Sequence, residues 1–131
     1  MAESVPRRDP VPIAATVVIV NADPAERARL AALALKAGHQ VIEAGDGASA
    51  LARLTPPPHT VMVIDRDLHD MTAPALIAEM RARGVHLPTV VTIPPLAIVD
   101  AVDAIRTGAR DVLETPLGEQ RFLRSISDAL E

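Results

Sequence analysis

Apolar and polar positions fall in blocks along the chain whose period switches repeatedly between that of a strand and that of a helix. Thr16-Val17-Val18-Ile19-Val20 is a short β-branched run, and Pro24 to Ala37 then carries Leu30, Leu33 and Ala34 at helical spacing until Gly38 stops it. The same unit recurs. Gln40–Ala44 precedes a helix around Ala48–Leu54, Thr60–Ile64 one around Ala73–Arg83, and Thr89–Ile93 one around Leu96–Thr107; Asp111–Glu114 leads into a last helix over about Gly118–Leu130. Five strands and five helices are predicted.

Runs such as Val61-Met62-Val63-Ile64 are apolar throughout, as expected when helices cover both faces of a parallel sheet. The expected fold class is α/β, a doubly wound five-stranded parallel sheet. Its strand order is either flavodoxin-like, 2-1-3-4-5, or that of half a Rossmann fold. In either case ligand chemistry belongs at the carboxyl ends of the strands. That rule singles out Asn21-Ala22-Asp23, Asp65-Arg66-Asp67, Ile93-Pro94 and Thr115-Pro116.

The length of 131 residues suits one core. Pro6, Pro10 and Pro12 in an unpatterned start lead us to expect a flexible arm over residues 1–15 and one domain over 16–131. With 49% hydrophobic and 23% charged residues and a net charge of −4, the composition excludes a disordered or fibrous chain. There is no cysteine for a disulfide, a thiolate metal site or a nucleophile. Phe122 is the single aromatic residue, so base stacking on aromatic platforms is excluded, and the acidity argues against nucleic-acid binding through this domain. The longest apolar stretch, Val85–Val99, is broken by His86, Pro88, Pro94 and Pro95. No membrane association and a cytoplasmic location are therefore expected.

The first strand is followed by neither G-x-G-x-x-G nor G-x-x-x-x-G-K-[ST], which removes the fingerprints of dinucleotide and P-loop binding. A flavin site would also lack flanking aromatics. Gly45-Asp46-Gly47 reads as a turn into the second helix. His39, His59, His69 and His86 lie in separate loops without metal-ligand spacing and read as surface residues, His69-Asp70 included.

Four stretches together resemble the receiver domain of two-component response regulators, the CheY-like family, over roughly residues 15–130. Val18-Ile19-Val20-Asn21-Ala22-Asp23-Pro24 through Arg27 is similar to the family's first strand, acidic loop and first helix. Gly38 to Ala44 with Gly47 to Leu51 is similar to its second strand and helix, and Val61 to Asp65 to its third strand. Asp100 to Ala109 and Thr115-Pro116-Leu117 are similar to its fourth helix and its Lys-Pro turn. The resemblance implies a signalling module, not an enzyme.

In such a receiver an aspartate takes a phosphoryl group in the presence of magnesium. Carried over residue by residue, Asp65 is the phosphoacceptor position and Asp67 the metal's backbone-carbonyl position. The acidic pair falls on Asn21 and Ala22, with Asp23 one residue beyond as a substitute carboxylate. Asp23 before Pro24 also fits a helix N-cap, the reading we favour. Counted back from Gly108, the switch hydroxyl falls on Ile93. The adjacent Thr92 is the alternative, though at one step's offset it is expected to face the other side of the strand. The lysine falls on Thr115, before Pro116, whose peptide is cis in the family.

Magnesium relies on hard carboxylate oxygens, so the expected cofactor is none, with weak Mg2+ binding at most and no tightly held metal. Without a hydroxyl or a lysine, a phosphoryl group on Asp65 would bring about −1.5 to −2 charge into a site with few partners for it. Val112 stands at the usual switch-aromatic position. The leading expectation is an atypical, pseudo-receiver module acting by protein interaction or dimerisation, independent of phosphorylation. The alternative is a working phosphoacceptor, phosphorylated on Asp65 by a histidine kinase. Partners would be such a kinase, an output domain or a second copy as a homodimer. The expected contact face carries Asp100, Asp103, Arg106, Arg110, Asp111, Arg121 and Arg124.

Overall fold

The computed structural model describes residues 15–53 and 58–130. Strands and helices alternate as β1 Thr16–Val20, α1 Pro24–Lys36, β2 Gln40–Ala44, α2 Gly47–Leu51, β3 Thr60–Asp65, α3 Ala73–Ala82, β4 Thr89–Ile93, α4 Ile98–Thr107, β5 Asp111–Glu114 and α5 Glu119–Ala129. The sheet has five strands in the order β2-β1-β3-β4-β5, every pair parallel. That order is the flavodoxin-like one. The expected arm falls outside the described residues except for Ala15.

The apolar runs form two cores because successive strand residues face opposite sides. Val17, Ile19, Val61, Val63, Val90 and Leu113 pack under α1 and α5 with Leu30, Ala34, Phe122 and Ile126. Val18, Val20, Met62, Ile64, Val91 and Ile93 pack under α2, α3 and α4 with Leu76, Ile77, Met80 and Ala104. Helix starts follow local chemistry. Asp23, Asp46 and Thr72 each accept a backbone amide as N-caps of α1, α2 and α3.

Helix α4, like α5, starts without such a cap. Its N-cap, Ala97, offers no side-chain hydrogen bond, and of its own residues only Ala104 is fully buried. It ends on Gly108 at φ 116°, a left-handed position that suits glycine; a Cβ there would also meet the Arg81 guanidinium. The helix was expected to start at Leu96, but Leu96 is itself left-handed, at φ 63°, and belongs to the β4–α4 loop.

His39 departs from the surface reading. It is half-buried, its Nδ1 accepts the Ala15 amide at 3.0 Å, and burial lowers its pKa. No helix among the described residues is long and apolar enough to cross a membrane.

Candidate functional site

The carboxyl ends of β1, β3, β4 and β5 open onto a cleft of about 770 Å3 lined by Asn21, Glu26, Arg29, Asp65, Thr115 and Leu117, among others. Asp65 closes β3 and sits half-buried at its floor. Burial pushes its carboxyl above the ordinary value, and the Thr92 hydroxyl and the Asp67 amide offset part of the rise.

Thr92 corrects the sequence reading. Its Oγ1 donates to Asp65 Oδ1 at 2.8 Å. Register explains the contact: Asp65 and Thr92 are opposed on the adjacent strands β3 and β4, so their side chains share a side. Ile93, expected at the hydroxyl position, is instead buried at 3% exposure in the core beneath α3 and α4.

The residues at the acid-pair positions make other contacts. Asn21 is buried; its Oδ1 accepts the Asp23 amide at 2.9 Å, and its carbonyl accepts Arg27 Nη1 at 2.7 Å. A guanidinium thus stands where a cation would need acids. Arg27 is anchored on its other side by Glu43 at 3.2 Å. Ala22 contributes no donor. Asp23 lines the cleft as well, but its Oδ1 is engaged, accepting the Ala25 amide at 3.0 Å as the cap of α1. Among the described residues no three His, Cys, Asp or Glu side chains group so as to hold a metal. The residues present do not fit the magnesium that the resemblance implies: of the cleft's carboxylates, Asp23 caps α1 and Glu26 is paired with Arg29, which leaves Asp65 short of the hard-oxygen shell that ion requires.

Thr115 Oγ1 donates to the Ile93 carbonyl at 3.3 Å, so it is spent on the β4–β5 strand ends, and the Thr115-Pro116 peptide is cis. The cleft's cation, Arg29, is tied to Glu26 at 2.8 Å and to the Leu117 carbonyl at 2.7 Å. Asp70 is engaged at the start of α2. Its carboxylate accepts the Gly47 and Ala48 amides, both at 2.9 Å, and those two bonds hold its pKa low.

On the expected contact face, two acids are already engaged within the chain. Asp100 pairs with Arg66 at 2.7 Å, and Asp111 accepts the Val112 amide at 2.8 Å and the Ser125 hydroxyl at 3.3 Å. The sequence reading missed what lies between the charges. Leu96, Ile98, Val99, Val102 and Ile105 are 43–84% exposed, and Ile98, Val102 and Ile105 share one helix face at i, i+4, i+7 spacing. Four of them within α4 were the available signal.

Asp65→Asn tests the electrostatics. A carboxyl whose folded pKa lies above its unfolded value favours folding at low pH and loses that contribution as pH rises through the folded pKa. The neutral amide keeps a partner for Thr92 and avoids the charge. The variant is therefore expected to melt a few degrees higher than the parent at pH 7, the gain vanishing below the ordinary carboxylate range; differential scanning calorimetry at the two pH values reads it.

A family model described as the response regulator receiver domain matches residues 17–127. PilH of Pseudomonas aeruginosa is 34% identical over 126 residues, 88% of this chain and 98% of PilH. The response regulator protein FleR of the same organism is 30% identical over 115 residues, 88% of this chain but 24% of FleR, so the chain spans about a quarter of that relative. Among solved structures, FixJ-N superposes with a TM-score of 0.83 at 25% identity, covering 88% of this chain and 93% of that one.

Proposed function

We propose, from the premise that this chain belongs to the response regulator receiver domain family, that it is an atypical receiver which signals by protein contact without phosphorylation of Asp65. The family is a signalling module of two-component systems and not an enzyme. One observation carries the reading. Where a receiver needs acids around its aspartate, the cleft offers Asn21 with the Arg27 guanidinium on its carbonyl, and Ala22. A phosphoryl group would meet neither a metal site nor a lysine. The apolar side chains on α4 support contact with a protein surface, since such patches usually mark interaction sites.

A second copy of the chain is the partner favoured. Asp103 and Arg106 are both exposed on α4, and an antiparallel pair of α4 helices brings each within reach of the other's counterpart, as a two-fold contact requires. Sedimentation velocity is expected to show a dimer over tens of micromolar protein, unchanged by magnesium and acetyl phosphate and lost in Ile105→Asp. A strictly monomeric chain, or a dimer that forms only with the phosphodonor, would overturn this assignment.

The Thr92 hydroxyl on Asp65 favours a second reading, a phosphoacceptor served by a histidine kinase. It supplies one of the groups such a site needs and leaves the charge unneutralised.

A further inference from the structure

Arg66, next to Asp65 in sequence, ties the Asp65 loop to α4 through its side chain. Its Nη1 donates to Asp100 Oδ1 at 2.7 Å and its Nη2 to Asp67 Oδ2 at 2.7 Å. Its backbone is fixed on both sides, the amide donating to the Thr92 carbonyl at 2.9 Å and the carbonyl accepting the Ala73 amide at 3.0 Å. The guanidinium therefore projects from a rigid base, and what it holds at its far end is mobile only as far as the ion pair allows. Both partners of the Asp100 pair are about 30% exposed or less, which spares it the full screening of a surface pair.

Helix α4 is otherwise held by small-residue packing against the sheet and α3. Its N-terminus lacks a side-chain cap and it buries one residue fully. Alanines 97 and 101 face the sheet, while the bulky aliphatic residues face out. Small side chains bury little apolar area, so the packing energy of α4 is low for a helix of its length. Arg66 Nε, moreover, is buried without a partner among the described residues. A buried donor left unpaired is costly, so the guanidinium is retained there by its two carboxylates and not by a complete hydrogen-bond shell.

We infer that Arg66 and Asp100 form a tether that holds α4, and with it the exposed apolar face, in a fixed position beside Asp65, so that releasing the tether loosens α4 alone. This deepens the reading of α4 as a contact surface, but the tether stands or falls without it, because it is read on the isolated chain. A receiver without a phosphate switch would then have its output helix set by a permanent ion pair.

Hydrogen exchange by mass spectrometry on the whole chain tests this. In Asp100→Asn, amides of residues 98–107 are expected to exchange about five- to tenfold faster, the loss of one charge-assisted hydrogen bond, while those of β1, β3 and α1 stay as in the parent. Asp100→Glu, which can still reach the guanidinium, is expected to restore most of the protection; Arg66→Met is expected to match Asp100→Asn. Unchanged exchange in α4, or acceleration spread evenly over the sheet, would overturn the tether. An altered α4 in a chain that remains dimeric would leave the tether standing and separate it from the contact reading.

Discussion

Asn21→Asp, Ala22→Asp and Thr115→Lys combined are expected to give a chain that gains one phosphoryl mass from acetyl phosphate in the presence of magnesium, at a rate at least about 100-fold above the parent. Each change supplies what its position lacks. The two aspartates add carboxylates beside Asp65, making three hard ligands. The lysine adds a cation at the cleft wall, where Thr115 now reaches no further than the Ile93 carbonyl. Thr92 is already in place on Asp65. The cost is predictable too. Three carboxylates close together repel one another, so without metal the variant should melt below the parent, and magnesium at 100 times its dissociation constant should return about 2.7 kcal/mol. Adding Asp65→Asn to the triple variant should abolish the mass gain. A triple variant that folds, binds magnesium and still takes up no phosphoryl group would show that the acid pair and lysine are not what the parent lacks.

Phe122→Ala is expected to cost about 3–5 kcal/mol, the range for a fully buried phenylalanine, against a total stability of roughly 5–15 kcal/mol for a domain of this kind. Phe122 is 0% exposed and lies in the core that joins α1 and α5 to the sheet through Ile19, Leu30, Leu113 and Ile126. As the chain's single aromatic residue, it has no neighbour of similar size to close over the void. Urea titration followed by circular dichroism should show the midpoint falling with the slope unchanged. The consequence reaches the cleft, since α5 follows directly on the Thr115–Gly118 turn that forms one wall. A loss under about 1 kcal/mol would mean that this core repacks freely.

Much of this architecture was legible because the β-branched runs of β1, β3 and β4 read as buried strands and residues such as Pro24 and Gly38 fell at helix boundaries. Gly38 and Gly108 both end helices in left-handed conformations, at φ 93° and 116°. Asp23 before Pro24 was legible as a cap because proline at the first helical turn leaves few other roles for it. The Thr92 contact was not. Counting back from Gly108 presumes a fixed length for the β4–α4 connection, and Pro94-Pro95-Leu96, with Leu96 at φ 63°, shifts that count by one. Strand register, which no local pattern encodes, decides which of Thr92 and Ile93 meets Asp65.

The orientation of α4 was hidden for a different reason. An apolar residue on a helix is ordinarily assigned to the core, yet here Ala97, Ala101 and Ala104 take the inner face while Ile98, Val99, Val102 and Ile105 are left outside. Alternating small and large apolar residues satisfy both faces by periodicity alone. The Arg66–Asp100 pair, 34 positions apart, likewise depends on tertiary placement.

The most direct measurement is the intact mass of the unmodified chain after incubation with magnesium and acetyl phosphate, beside Asp65→Asn. No added phosphoryl mass in either protein is the expected result. A gain of one phosphoryl mass in the parent, absent from Asp65→Asn, would contradict it and make Asp65 a working phosphoacceptor despite Asn21, Ala22 and Thr115.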